Sequence, residues 1–210
     1  MLTRKEFENH AAENCPGRRS TFASKGTAAN TGGDHFREIQ RLIGDMRETM
    51  RDAPGVGLAA PQVGASLQIA VIEDREELFS GLPEQELAEK ERRPVPFHVI
   101  INPEITLLGE DWADFYEGCL SLSGFSAVVP RARRIRIACL DENSGSRSIE
   151  ASGWYARILQ HEIDHLHGTL YIDRMDSRTF TSLDNWGRFW KGKQVREIIR
   201  DLAGTSGLRR

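Results

Sequence analysis

Two histidines four residues apart, His161 and His165, flank Glu162 in the stretch QHEIDHLHG (Gln160–Gly168). The apolar residues around them, Ile158, Leu159, Ile163 and Leu166, recur at helical spacing. On a helix, positions four apart share one face, so both imidazoles can reach one metal ion. A glutamate beside the first of them can reach a water at that ion and take its proton, which is the logic of metal-assisted hydrolysis. The same string also fits a helix with a solvated polar face. His167 points away from the pair and reads as a surface residue, and no motif surrounds His35 or His98.

A catalytic metal needs a third protein ligand and one open position. The pattern with a third histidine six residues after the second fails, because Tyr171 stands there although Gly168 fits. Glu197 is the only glutamate downstream of Glu162, in a polar tail, and would serve a thermolysin-like arrangement. The other option is upstream. Cys119 sits in EGCLS, with Gly118 beside it to permit close backbone approach. A thiolate with two imidazoles forms a tetrahedral site whose fourth position is free for water. For Cys15 and Cys139 the ordinary reading is a small buried hydrophobe. Residues 54–64, PGVGLAAPQVG, lack the Gly-Lys-Ser/Thr ending of a phosphate loop. Their small residues allow a ligand or strand to lie close, or else form a tight turn. Gln62 is not explained by a plain turn; its amide can donate to a developing oxyanion.

These groups need elements to hold them. His35–Ala53 carries Phe36, Ile39, Ile43, Met46 and Met50 at spacings of three and four, an amphipathic helix stopped by Pro54 and Gly55. LQIAVIED (67–74) reads as a strand, and 75–93 as a charged surface loop with a short helix. PFHVIINPEITLL (96–108) reads as one or two strands around an Asn-Pro turn. RRIRIACLDE (133–142) alternates as a half-buried strand, and the arginines of RARRIR (131–136) as its solvated face. The helix carrying the histidines runs over 151–168 and is stopped by Gly168. TLYIDR (169–174) reads as extended, and 193–202 as a last helix. The order predicts an α+β fold, mixed or antiparallel sheets packed around the central histidine helix, in a single catalytic domain over 35–178. Residues 1–34 read as a flexible leader and 179–210 as a C-terminal extension with some helix.

Composition narrows the classes. A formal net charge of -3 does not suggest a nucleic-acid binder. No apolar run approaches the roughly 20 residues of a membrane span. Three cysteines are too few, and odd in number, for a disulfide framework, which points to a reducing compartment. The leader bears Arg and Ser like an organellar transit peptide, but Glu6 and Glu8 argue against one.

Three stretches, GVGLAAPQ (55–62), EGCLS (117–121) and QHEIDHLHG (160–168), together resemble the signature motifs of peptide deformylases, in the family's order, within a resemblance covering roughly Phe36–Arg178. The resemblance implies removal of the formyl group from N-formylmethionine on nascent peptides. It implies Cys119, His161 and His165 as metal ligands, for Fe(II) first, with Zn(II), Ni(II) or Co(II) as substitutes. Glu162 would be the general base and acid. Gln62 and the Leu120 backbone N–H would hold the oxyanion. The peptide would lie extended beside Val56, Gly57 and Gly118, with Trp154 and Ile158 lining the methionine pocket. Asp164 would orient a ligand histidine or form a salt bridge. The implied protein is a monomer in the cytoplasm, or in a mitochondrion or plastid if the leader is a transit peptide, in transient contact with the ribosome. No membrane or specific nucleic acid is implied. Departing from the pattern, the family's opening strand has no counterpart in NCPGRRSTFASKG, which would leave a sheet edge unpaired. The competing readings are a zincin-type endopeptidase, decided by a downstream carboxylate as third ligand, and an inactive peptide-binding homologue.

Overall fold

The computed structural model describes residues 25–204. Most of the expected leader, with Cys15, lies outside the described residues. In chain order the elements are helix α1 (Asp34–Asp52), strand β1 (Gly57–Ala59), a 3-10 turn (Ala60–Val63), β2 (Ile69–Asp74), α2 (Glu84–Lys90), β3 (Val95–Leu107), β4 (Trp112–Cys119), β5 (Leu122–Ala132), β6 (Arg134–Leu140), β7 (Ser146–Ser152), α3 (Gly153–Leu166), β8 (Thr181–Ser182), a short helix α4 (Leu183–Asn185) that continues as a π turn (Trp186–Trp190), and α5 (Val195–Gly204). This is an α+β architecture with two antiparallel sheets, ordered β1-β2-β3-β6-β7 and β4-β5-β8.

The larger sheet explains the hydropathy pattern. β2 is buried at every residue because it is covered on both faces. Ile69 and Val71 pack with Ile39, Ile43, Met46 and Met50 of α1. Ala70 and Ile72 face the other way and pack with Leu159, Ile163 and Leu166 of α3. The strand's period of two thus feeds two helices. β6 is covered on one face only: Ile135, Ile137 and Cys139 are buried toward α3, while Arg134 and Arg136 stay exposed. Burying each Ile or Leu on these faces contributes about 1.5–3 kcal/mol. Helix α3 therefore runs through the interior, between the larger sheet and the β4–β5 hairpin.

Several expectations shift. Residues 133–142 form the expected strand, but RARRIR is not a uniform solvated face: Arg131 is only 3% exposed and ion-paired on both sides. The alternation fails there because Arg131 belongs to β5, on the other sheet. β7 takes residues 151 and 152, so the helix begins at Gly153. Gly153 is left-handed (φ +58°), and a β-carbon there would run into Glu91 and the Lys90 carbonyl. Gly168, at φ +75°, ends the helix region as expected. TLYIDR is not extended; it holds a 3-10 turn at Tyr171–Asp173. The segment expected to be helical over 193–202 forms α5 over Val195–Gly204, which buries its Ile198.

Residues 25–30, placed in the leader by sequence, are tied down. Gly26 N–H donates to the Leu166 carbonyl at 2.9 Å, and Thr27 exchanges backbone bonds with Ser66 and Gln68. The Asn102 amide clamps Ala29 at both its N–H (2.8 Å) and its carbonyl (3.0 Å). Residues 25–30 thus form a short clip, which pairs Thr27 with Leu67 and Lys25 with His167; the rest of the stretch in which the opening strand was sought lies outside the described residues.

Candidate metal centre and active site

Helix α3 delivers His161 and His165 on one face, and the end of β4 delivers Cys119 to it. Cys119 Sγ lies 3.1 Å from His165 Nε2, which lies 3.2 Å from His161 Nε2. The candidate ligand atoms of the three residues all fall within 4.8 Å of one another. Glu197, the alternative third ligand, is not part of this cluster. The donor set, one thiol and two imidazoles converging on one point with a carboxylate at its side, suits a divalent ion.

The carboxylate is Glu162, 4% exposed. Burial pushes its carboxyl up to about 7, against the pull of His161. One of its oxygens is buried without a hydrogen-bond partner. A buried carboxylate left unsatisfied is costly, and its orphaned oxygen is what a site built to receive another polar group would show. Gly57 makes room for it: a β-carbon at Gly57 would overlap the Glu162 carboxylate. The sequence reading gave that glycine to the substrate; the geometry gives it to the glutamate as well.

The imidazoles differ. Burial, then the neighbouring His161, pushes His165 down to about 3, so it is neutral with a lone pair to offer. For His161 burial works against the charged form, but its bonds to Cys119 and Glu117 outweigh this and raise it well above the ordinary value. His161 Nδ1 meets Glu117 Oε2 at 2.9 Å. Glu117, 6% exposed, also accepts from Arg131 (3.0 and 2.9 Å) and Arg157 (2.6 Å). Burial pushes the Glu117 carboxyl up, yet the bonds from His161 and Arg131 hold it well below the usual carboxylate range.

Asp164 does not orient a histidine. It is buried and takes Arg131 (2.5 Å) and Arg174 (2.6 and 2.7 Å). It belongs to an ion-pair network in which Arg131 bridges two carboxylates. The orienting carboxylate is Glu117, which sequence reasoning passed over; its place two residues before Cys119 was the available signal. Arg131 and Arg157 had no such signal, because their partners are distant in the chain.

An open cavity of about 260 Å³ adjoins the cluster. Its lining includes the expected Val56, Gly57, Gly118, Trp154 and Ile158, and also Gln62, Cys119, Leu120, His161 and Glu162. Tyr116 and Arg157 line it too, unforeseen. Trp154 is held from behind by Lys90 (4.8 Å) and Arg92 (5.3 Å) and meets the edge of Phe115. The expected surface loop at 75–93 therefore supports the cavity wall. Gln62 accepts from Ala59 N–H at 2.8 Å and donates to Ser121 Oγ at 3.1 Å and Cys119 Sγ at 3.5 Å.

Comparisons with known proteins agree with this arrangement. The family model described as polypeptide deformylase matches residues 27–181. A tomato protein, peptide deformylase 1A, chloroplastic, is 51% identical over 147 residues, covering 70% of this chain and 53% of the relative. Peptide deformylase 3 of Streptomyces avermitilis is 47% identical over 152 residues, covering 72% and 66%. The human mitochondrial peptide deformylase is 44% identical over 146 residues, covering 70% and 60%. The match thus spans about half to two thirds of the length of these curated relatives. Among solved structures, the peptide deformylase of Synechococcus elongatus in complex with actinonin superposes with a TM-score of 0.61 at 33% identity, covering 76% of each chain. That of Ehrlichia chaffeensis gives 0.61 at 34%, covering 75% of this chain and 84% of its own. With the fold, the three motifs and the match over 27–181 in agreement, the chain belongs to the polypeptide deformylase family.

Proposed function

We propose that this protein is a metal-dependent hydrolase that removes the N-terminal formyl group from formylmethionine on newly made polypeptides. The observation that carries the proposal is the convergence of Cys119, His161 and His165 beside a buried Glu162, next to an open cavity of about 260 Å³. We assign those three residues as ligands, with Fe(II) as the resident ion and Zn(II), Ni(II) or Co(II) as substitutes. Bound there, a divalent ion would polarise the formyl carbonyl and make a water acidic enough to attack near neutral pH.

The rest falls to the chain. The peptide lies extended beside Val56, Gly57 and Gly118, where missing side chains leave its backbone room. Its methionine enters the cavity against Trp154 and Ile158. Glu162, tuned to about 7, takes the proton from the attacking water and returns it to the leaving amine. Charge on the formyl oxygen is met by the Gln62 amide and the Leu120 backbone N–H. Glu117 keeps the proton of His161 on Nδ1, so that Nε2 faces the cluster. The cysteine in the cluster favours this reading over a zincin-type peptidase, which would take a downstream carboxylate. Its setting is a compartment where synthesis starts with formylmethionine: a bacterial cytoplasm, or an organelle as in the chloroplastic and mitochondrial relatives.

The test is deformylation of formyl-Met-Ala-Ser by protein prepared anaerobically with Fe(II), beside Cys119→Ala. Turnover by the parent, with metal and activity both lost in the variant, is expected. Metal bound without turnover would overturn the activity, and metal retained in the variant would overturn the ligand assignment.

A further inference from the structure

We infer that Ser121 is a positioning residue whose hydroxyl holds the Gln62 side-chain amide with one N–H free above the Cys119–His161–His165 cluster. The kinetic consequence rests on the deformylase reading; the orientation itself rests on geometry. Gln62 is the third residue of the 3-10 turn after β1, and its Oε1 accepts the Ala59 N–H at 2.8 Å. Only a carbonyl oxygen can take that bond, so the NH2 end must face the cluster. One pinned atom leaves the amide free to swing about that point. The second pin is Ser121 Oγ, which accepts from Nε2 at 3.1 Å.

An amide nitrogen carries two hydrogens. With one given to Ser121, the other has only Cys119 Sγ at 3.5 Å, a long contact to a weak acceptor. That hydrogen is the one available to an oxygen gaining negative charge. Ser121 also sends its own backbone N–H to Cys119 Sγ at 3.4 Å. A single residue in the β4–β5 turn therefore touches both the ligand sulfur and the oxyanion donor, and the Cys119–Leu122 register of the hairpin fixes its place.

The test compares zinc-loaded parent, Ser121→Ala and Ser121→Thr. The Gln62 side-chain NH2 signals are followed by NMR and assigned through their loss in Gln62→Leu. In S121A the pair is expected to move toward the values of a solvent-exposed glutamine, and in S121T to stay. With formyl-Met-Ala-Ser, S121A is expected to lower kcat about tenfold, the size of one hydrogen bond's contribution. KM should stay within about twofold, because the donor acts on charge that appears only in the transition state. S121T should restore the rate, metal content should be unchanged, and S121A should add no loss in a Q62L background. Ser121→Gly removes the same hydroxyl and replaces S121A if that variant fails to fold. Unmoved Gln62 signals, or an equal loss in the Q62L background, would overturn the inference. A parent that does not deformylate while S121A still moves the signals supports the positioning and rejects the reaction.

Discussion

His161 meets Glu117 Oε2 through Nδ1 at 2.9 Å, and its Nε2 lies 3.2 Å from that of His165. The carboxylate thus selects the tautomer and the ring orientation that a ligand histidine needs. The same carboxylate pairs with Arg131 and Arg157, each 3% exposed. Glu117→Gln should therefore fail twice. Metal affinity should fall by about 10–100-fold, the usual effect of losing a ligand's orienting partner. Stability should fall by about 3–5 kcal/mol, because buried Arg157 loses its ion-pair partner and Arg131 keeps only Asp164. Metal titration and urea unfolding of the metal-free protein measure the two separately.

Glu162→Gln separates chemistry from binding. The amide keeps the shape but cannot accept a proton. Turnover should drop by about 10²–10⁴, the range for a lost general base. Metal content should stay at the parent level, since Glu162 is not in the ligand cluster. Near-parental turnover would remove Glu162 from the mechanism.

The clip at residues 25–30 should be a measurable part of stability. A β-carbon at Gly26 would stand 2.7 Å from the Leu67 carbonyl oxygen, which is backbone and has little freedom to retreat. Gly26→Ala should destabilise by about 1–3 kcal/mol, as overpacking does. It should also loosen the end of α3, because the Gly26 N–H caps Leu166. Hydrogen exchange at Leu166–Gly168 reads the second effect, and unchanged protection there would show that the clip is not coupled to the histidine helix.

Acid sensitivity has a source away from the candidate metal centre. The Arg51 bond, opposed by burial and aided by the charges of Arg51, Arg75 and Arg47, holds the Glu73 carboxyl below its ordinary value. A depressed carboxyl stabilises the fold above its unfolded value of about 4.3 and loses that contribution as pH falls through the folded value. Glu73→Gln should lower Tm at neutral pH and flatten its decline toward about pH 3. A parental slope in the variant would assign the acid loss elsewhere.

The α+β order, the amphipathic α1, the histidine helix and the standing of Cys119, Glu162 and Gln62 as candidates were legible in the sequence. Each depends on local spacing, and periods of two or four residues are set by backbone geometry before any packing occurs. The choice of Cys119 over Glu197 was not local. It follows from β4 ending beside α3, a meeting of residues 42 or more apart in the chain. The same holds for Arg131, which the RARRIR pattern put in solvent and the fold put between Glu117 and Asp164. It holds also for the loop cations beside Trp154 and for the clip at residues 25–30. The sequence by itself determined which groups were available and on what kind of element. Only the tertiary structure decided which were paired and buried, because a buried charge takes its partner from whatever the fold brings near, at any distance along the chain.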